Sequence, residues 1–219
     1  MTQIRVLLAI ILILLAVQLV LGLFWHPRSL RQDRELPDMP SPPTLQSSEP
    51  PLPTLDAIRL EASDGPFELA SQHGKVVVLY FGYSYCPDVC PTSLLGLAGA
   101  LKLLSEDELL RIQAVFVSVD PQRDTPKLLA DYARFFHPAL IGATGTPEQV
   151  AVASRYFGVR YSLPPVGAGN NYTIDHTSQT YLVGKDGRLA RPLPHAATPE
   201  SIATAIRTLL AQPSPGVFQ

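Results

Sequence analysis

The sequence predicts an α/β domain with a central mixed sheet flanked by helices. Three features carry that expectation. Lys75–Gly82 is a continuous apolar run rich in β-branched and aromatic residues and Ile112–Val119 reads as a second buried strand, each is followed by a helical stretch, and the chain closes on strand-like Thr177–Val183 and the turn Lys185-Asp186-Gly187. Runs without a polar face read as strands buried on both sides, and strands alternating with helices before a final hairpin give a mixed sheet. With 219 residues, 46% hydrophobic and 16% charged, the chain can hold one domain of ordinary size plus appendages. A net charge of −2 gives no electrostatic footprint for nucleic acid.

The appendages come first. Val6 to Trp25 is interrupted among polar side chains only by Gln18. As a helix it spans about 30 Å, the hydrocarbon thickness of a bilayer. Residues 1–25 are therefore expected to be a single transmembrane anchor. A cleavable signal is the alternative, but its apolar region is shorter and ends in small residues, whereas Leu23-Phe24-Trp25-His26-Pro27 follows here. A buried core helix would show a periodic polar face, and none exists. Arg5 precedes the segment and Arg28, Arg31 and Arg34 follow it, so basic residues alone favour a cytoplasmic C-terminal side. A reactive thiol pair argues for the opposite orientation, with the domain in the periplasm or outside a bacterial cell. Residues 26–54 hold eight prolines in 29 positions and read as an extended tether.

The domain is expected over 55–211, with a short tail at 212–219. Ile58–Leu69 alternates around Asp64-Gly65 as a hairpin does. The strand at Lys75–Gly82 leads through a loop into a helix from Pro91 to Leu104, with Pro91 suited to its first turn. After the strand at Ile112–Val119, Asp120–Pro126 enters a helix running to about Phe136, capped by Asp124 or Thr125. A short strand near Leu140–Ala143, a helix from Pro147 to Phe157 and an irregular loop from Tyr161 to Asn171 follow. Beyond Thr177–Val183 and its turn come another strand and a final helix from Thr198 to Ala211.

Both cysteines, Cys86 and Cys90, lie between the Lys75–Gly82 strand and its helix. Ligand sites in such sheets gather at the carboxyl ends of strands. A cysteine at a helix N-terminus faces unpaired amides and the positive end of the dipole, which favour the thiolate. The spacing is Cys-x3-Cys, and if the segment is helical the two sulfurs share a face and can close on one metal ion or on each other. An inert structural disulfide is the alternative, although closing so short a loop stabilises little. Two thiolates suit Cu(I), and an imidazole would complete a three-coordinate site that also tolerates Cu(II). His26, His73, His137, His176 and His195 are available; His26 lies at the membrane end of the tether and is a poor candidate, and composition does not rank the other four. His176 stands at a loop-to-strand junction beside Asp175, which is suggestive only.

The motifs Tyr80-Phe-Gly-Tyr-Ser-Tyr-Cys86-Pro-Asp-Val-Cys90-Pro, Phe116-Val-Ser-Val-Asp-Pro-Gln-Arg-Asp-Thr125 and Tyr172-Thr-Ile-Asp-His176-Thr, followed by Tyr181-Leu-Val, resemble the Sco/SenC family of copper-binding proteins. The resemblance covers roughly Leu55 to Leu210 and implies a thioredoxin-like fold. It implies copper, as Cu(I) or Cu(II), held by Cys86, Cys90 and His176, and a role in assembling the binuclear copper centre of cytochrome c oxidase subunit II or a similar acceptor. Many family members carry His where this chain has Tyr85, a position that is not among the implied ligands. Asp88, Asp120 and Asp124 also match family positions, and turn or capping roles account for them equally well.

Several functions fit. The leading expectation is a membrane-anchored, monomeric metallochaperone that passes copper to a partner's cysteines. The second is a thiol-disulfide oxidoreductase using Cys86 and Cys90 as its redox pair without needing His176. A tethered adaptor with an inert disulfide is the third. Zinc suits Cys2His poorly as a closed site, because structural zinc usually takes four protein ligands. No peroxide pocket is legible.

Overall fold

The structure is a computed structural model that describes residues 13–21, 52–162, 167, 169 and 171–213. The chain divides into two units, 1–49 and 50–219. In the first, residues 13–21 form helix α1 with exposed side chains. Among the described residues no helix is long and apolar enough to cross a membrane. The remainder of the expected anchor, and the expected tether as far as residue 51, lie outside the described residues.

The second unit is built on a six-stranded sheet of order β2-β1-β5-β4-β3-β6. Strands β3 (Val76–Gly82), β4 (Ile112–Ser118) and β5 (Leu140–Thr144) run parallel. Strand β6 (Thr180–Val183) is antiparallel to β3, and β1 (Arg59–Ala62) is antiparallel to both β5 and β2 (Gly65–Glu68). The expected mixed sheet is thus present. All seven residues of β3 are buried, as its unbroken apolar run requires. The β1–β2 hairpin turns at Ser63-Asp64 and leaves through Gly65 at φ +123°, a conformation that favours glycine.

Helices α2 (Val89–Lys102), α3 (Glu106–Leu110), α4 (Pro126–Phe136), α5 (Pro147–Phe157) and α6 (Pro199–Ala211) complete the unit. Helix α2 packs on α6, α4 on β5, and α5 on β1. Thr125, Thr146 and Thr198 each accept an amide hydrogen bond at the head of a helix whose first turn holds a proline.

Two boundaries differ from the expectation, and at the head of α4 the structure selects between the two expected caps. Helix α2 begins at Val89, so Cys90 is its second residue and Cys86 lies in the preceding turn. The cap of α4 is Thr125, because the Asp124 carboxylate is committed elsewhere. After β6 the chain makes single bridges at Leu189 and Leu193 where a full strand was expected, since Pro192 and Pro194 remove amide donors. The capping box of α3, Ser105 with Glu108, was legible as Ser-x-x-Glu but went unread.

Candidate metal centre

The cysteine loop leaves the carboxyl end of β3 and turns through Tyr83-Ser84-Tyr85 into Cys86, whose amide donates to the Tyr83 carbonyl at 3.2 Å. Cys86 then lies at the head of α2 and accepts from the Cys90 amide at 3.5 Å. The thiol therefore occupies the place of a helix cap, meeting amides that have no partner within the helix. The two sulfurs meet although the residues between them are not one helical turn, because helix-end amides draw Cys86 back over Cys90.

His176 arrives from the other side. The segment 160–162 pairs with 175–177 through Ser162 N to Asp175 O at 2.8 Å and Thr177 N to Arg160 O at 2.9 Å, with a bridge between Tyr161 and His176. This irregular ribbon places His176 Nε2 3.2 Å from Cys90 Sγ. Donor atoms of Cys86, Cys90 and His176 all lie within 4.8 Å of one another, and among the described residues no other group of this kind converges. His176 Nδ1 is 3.1 Å from the Thr177 carbonyl oxygen. A carbonyl only accepts, so Nδ1 carries the proton and the Nε2 lone pair points at the thiols. Tyr80 and Tyr83 flank the imidazole edge-on, with ring centroids at 6.3 and 5.9 Å.

The two thiols are electrostatically unlike. Cys86 is 9% exposed and Cys90 is fully buried. Burial pushes the Cys86 thiol up, but the amides of Asp88, Cys90 and Val89 together hold it below its ordinary value. Burial pushes the Cys90 thiol well above its ordinary value, and the nearby Cys86 charge adds to that, against a smaller opposing effect of the Tyr83 amide. Burial also lowers the His176 imidazole, which favours the neutral ring a metal requires.

The other histidines do not join the site. His26 lies outside the described residues, and His73 is exposed. His137 Nδ1 accepts from the Ala139 amide at 3.1 Å. His195, exposed, bonds Ser93 Oγ through Nδ1 at 3.0 Å, and with His176 and Arg160 it lines an open cleft of about 780 Å³. Of the carboxylates, Asp88 sits at the N-cap position of α2 without a side-chain cap bond. Asp120 pairs with Arg123 at 2.5 Å. Asp124, 1% exposed, accepts from the Ser84 amide at 2.9 Å, from Ser84 Oγ, and from Ser118 Oγ at 2.5 Å. It therefore fastens the cysteine loop to the end of β4, a role that neither turn nor cap describes.

Three residues at or beside the centre, Gly82, Arg123 and Tyr172, stand in the quoted motifs without a role assigned to them. A side chain on Gly82 would bring its Cβ to 2.6 Å from Cys90 Sγ, so glycine is what lets the thiol pack against the strand end. Glycine closing a strand run was the legible sign of such an approach. Tyr172 and Arg123 had no signal of their own, because their meeting joins positions 49 apart.

A mixed sheet carrying a dithiol and an imidazole at the carboxyl ends of its parallel strands defines a thiol-based metal-binding or redox domain. The match to the SCO1/SenC family model over residues 59–211 is more specific, and the chain belongs to that family. It is 40% identical over 143 residues to the mouse mitochondrial protein SCO2 homolog, covering 65% of this chain and 56% of that protein. The chain spans 63% of the bovine counterpart, so it matches somewhat less than two thirds of either relative's length. Among solved structures, Bradyrhizobium japonicum ScoI with copper bound is 37% identical, covering 70% of this chain and 97% of that one with a TM-score of 0.63. Yeast Sco1 with copper bound is 32% identical, covering 72% and 88%, with a TM-score of 0.65. The thioredoxin-like architecture is common to these proteins and this one.

Proposed function

We propose that this protein binds copper through Cys86, Cys90 and His176 and delivers it to, or prepares the cysteines of, the binuclear copper site of cytochrome c oxidase subunit II. The observation that carries the reading is the convergence of two buried sulfurs and an unprotonated imidazole nitrogen within 4.8 Å. The donor set suits copper: two thiolates favour the soft Cu(I), and the imidazole adds a ligand compatible with Cu(II). Three donors from a loop and a ribbon, rather than four closed around the ion, leave a place for an incoming partner thiolate. That is what handing over a cargo ion by ligand exchange needs. Copper in the related Bradyrhizobium and yeast proteins supports the assignment.

The apolar segment Val6–Trp25 supports a single-pass anchor, with the tether at 26–54 letting a periplasmic or extracellular domain reach a membrane-bound acceptor. The test is anaerobic copper titration of the reduced protein against a competing chelator, beside Cys86→Ser, Cys90→Ser and His176→Ala. A single ion that requires both cysteines and is held roughly 100-fold less tightly without His176 is expected, since even outer-shell changes cost about 10–100-fold. Binding indifferent to all three changes would overturn the reading.

A thiol-disulfide oxidoreductase is the second reading, favoured by the unequal thiols. Cys86 is the more exposed and the more readily ionised, as an attacking sulfur should be, and Cys90 is buried and protonated, as a resolving sulfur can be.

A further inference from the structure

The bonds between 160–162 and 175–177 shape the ribbon that carries His176, and a separate set of contacts ties that ribbon to the cysteine loop. Tyr172, four residues before His176, donates its hydroxyl to Asp120 Oδ1 at 2.7 Å. Its carbonyl accepts from Arg123 Nη1 at 2.9 Å, and the guanidinium lies 3.6 Å from its ring centroid. The same guanidinium bonds Asp120 at 2.5 Å and stands over Tyr85 and Tyr83, at 4.9 and 5.5 Å from their centroids. Tyr83 in turn accepts from the Ile174 amide through its hydroxyl at 3.2 Å. Three segments distant in sequence therefore meet at one side chain: the cysteine loop, the turn after β4 and the histidine ribbon.

The Arg123 and Asp120 side chains are only 6% and 1% exposed. A buried ion pair is a poor source of net stability, because desolvation offsets most of its attraction. Its planar, five-donor head does fix geometry, meeting a carboxylate, a carbonyl and an aromatic face at once.

We propose that Asp120, Arg123 and Tyr172 form a latch that positions His176 opposite Cys86 and Cys90, so that the strength of the third metal ligand is set from outside the ligand shell. The inference rests on the copper reading above. The three are positioning residues, acting on the site through the histidine ribbon and the cysteine loop.

Two measurements on the full chain test it, one without metal. In the reduced apoprotein, Tyr172→Phe keeps the ring beneath the guanidinium and removes only the bond to Asp120. Amide exchange at Ile174 and Thr177 is expected to accelerate about tenfold, the equivalent of one hydrogen bond, while amides of β3 and β4 keep their rates. Unchanged exchange at those two positions would overturn the latch, as would equal acceleration throughout the sheet. The second is copper affinity in a cycle of four proteins: unaltered, Tyr172→Phe, His176→Ala and the double variant. Tyr172→Phe should lower affinity about tenfold when His176 is present and leave it unchanged when His176 is absent. An equal loss in both backgrounds, or none in either, would overturn the positioning role. If His176→Ala alone leaves affinity intact, it is the three-ligand reading that has failed, and the positioning role with it. A latch that fails alone shows a large effect of His176→Ala and none of Tyr172→Phe.

Discussion

Gly82 and Cys90 share one space: the hydrogen of the glycine leaves room that a Cβ would occupy at 2.6 Å from the Cys90 sulfur and 3.1 Å from the Phe116 ring. The end of β3 and the second residue of α2 can approach this closely because one of them has no side chain. The thiol is thereby fixed by packing on a rigid strand.

Gly82→Ala should therefore damage the centre more than the fold. Overpacking of this kind costs about 1–3 kcal/mol, within reach of a domain with this much buried surface. Displacement of Cys90 should lower copper affinity by about tenfold or more. Chemical denaturation and chelator competition on the same preparation separate the two effects. Unaltered affinity in a destabilised variant would mean that Cys90 tolerates displacement.

The Asp124 carboxylate spans Ser84 of the cysteine loop and Ser118 at the end of β4. Burial raises its pKa, an effect the three donors from Ser84 and Ser118 only partly offset. Asp124→Ala strands those donors inside the protein, which should cost roughly 1–3 kcal/mol per unsatisfied group. Asp124→Asn retains an acceptor and should cost less. Urea unfolding of both variants checks the ranking, and an alanine variant as stable as the parent would remove Asp124 from the loop's support.

The unequal thiols predict a pH dependence with two signs. Cys86 has a lowered pKa, so the stability it contributes is fully present above the unfolded thiol value of about 9 and is lost as pH falls through its folded value. Cys90 has a raised pKa, so it stays protonated while the unfolded chain ionises, and stability is lost as pH rises beyond about 9. At neutral pH, iodoacetamide should therefore label Cys86 well before Cys90 in the folded apoprotein. Mass spectrometry of time points reads the order directly, and equal labelling would contradict the burial argument.

Local pattern carried most of the fold. β3, buried throughout, and β4, buried except at Gln113, were visible as apolar runs, and so were helices α2, α4, α5 and α6, three of them through a proline in the first turn, while the Ser-x-x-Glu head of α3 went unread. The cysteine pair was visible because Cys-x3-Cys is local. His176 was one of four histidines that composition does not rank until the Tyr172–Thr177 motif gave it a family context, since its partner Cys90 is 86 positions away. Arg123 and Tyr172 were illegible for the same reason: cation–aromatic and carbonyl contacts over long separations leave no periodicity behind. The cap of α4 stayed open between Asp124 and Thr125 because Asp-Thr-Pro satisfies capping chemistry at either residue, and only the fold commits Thr125 to the helix.

The redox reading gives its own asymmetric outcome. In attack on a partner disulfide, the Cys86 thiolate forms a new S–S bond while the partner's S–S bond breaks and releases one partner thiolate. Cys90, after losing its proton, would then attack Cys86, release the second partner thiolate and leave Cys86–Cys90 oxidised by two electrons. Its pKa, raised chiefly by burial, loses the smaller contribution of the Cys86 charge once Cys86 is bonded to the partner sulfur. Cys90→Ser should consequently trap a mixed disulfide on Cys86 with a Cys-x3-Cys peptide disulfide, whereas Cys86→Ser should trap little, its remaining thiol being buried and protonated at neutral pH. Non-reducing electrophoresis after acid quenching shows the adduct. Equal trapping by both variants would mean that the loop opens before it reacts, and no adduct from either would leave the thiols to metal binding alone.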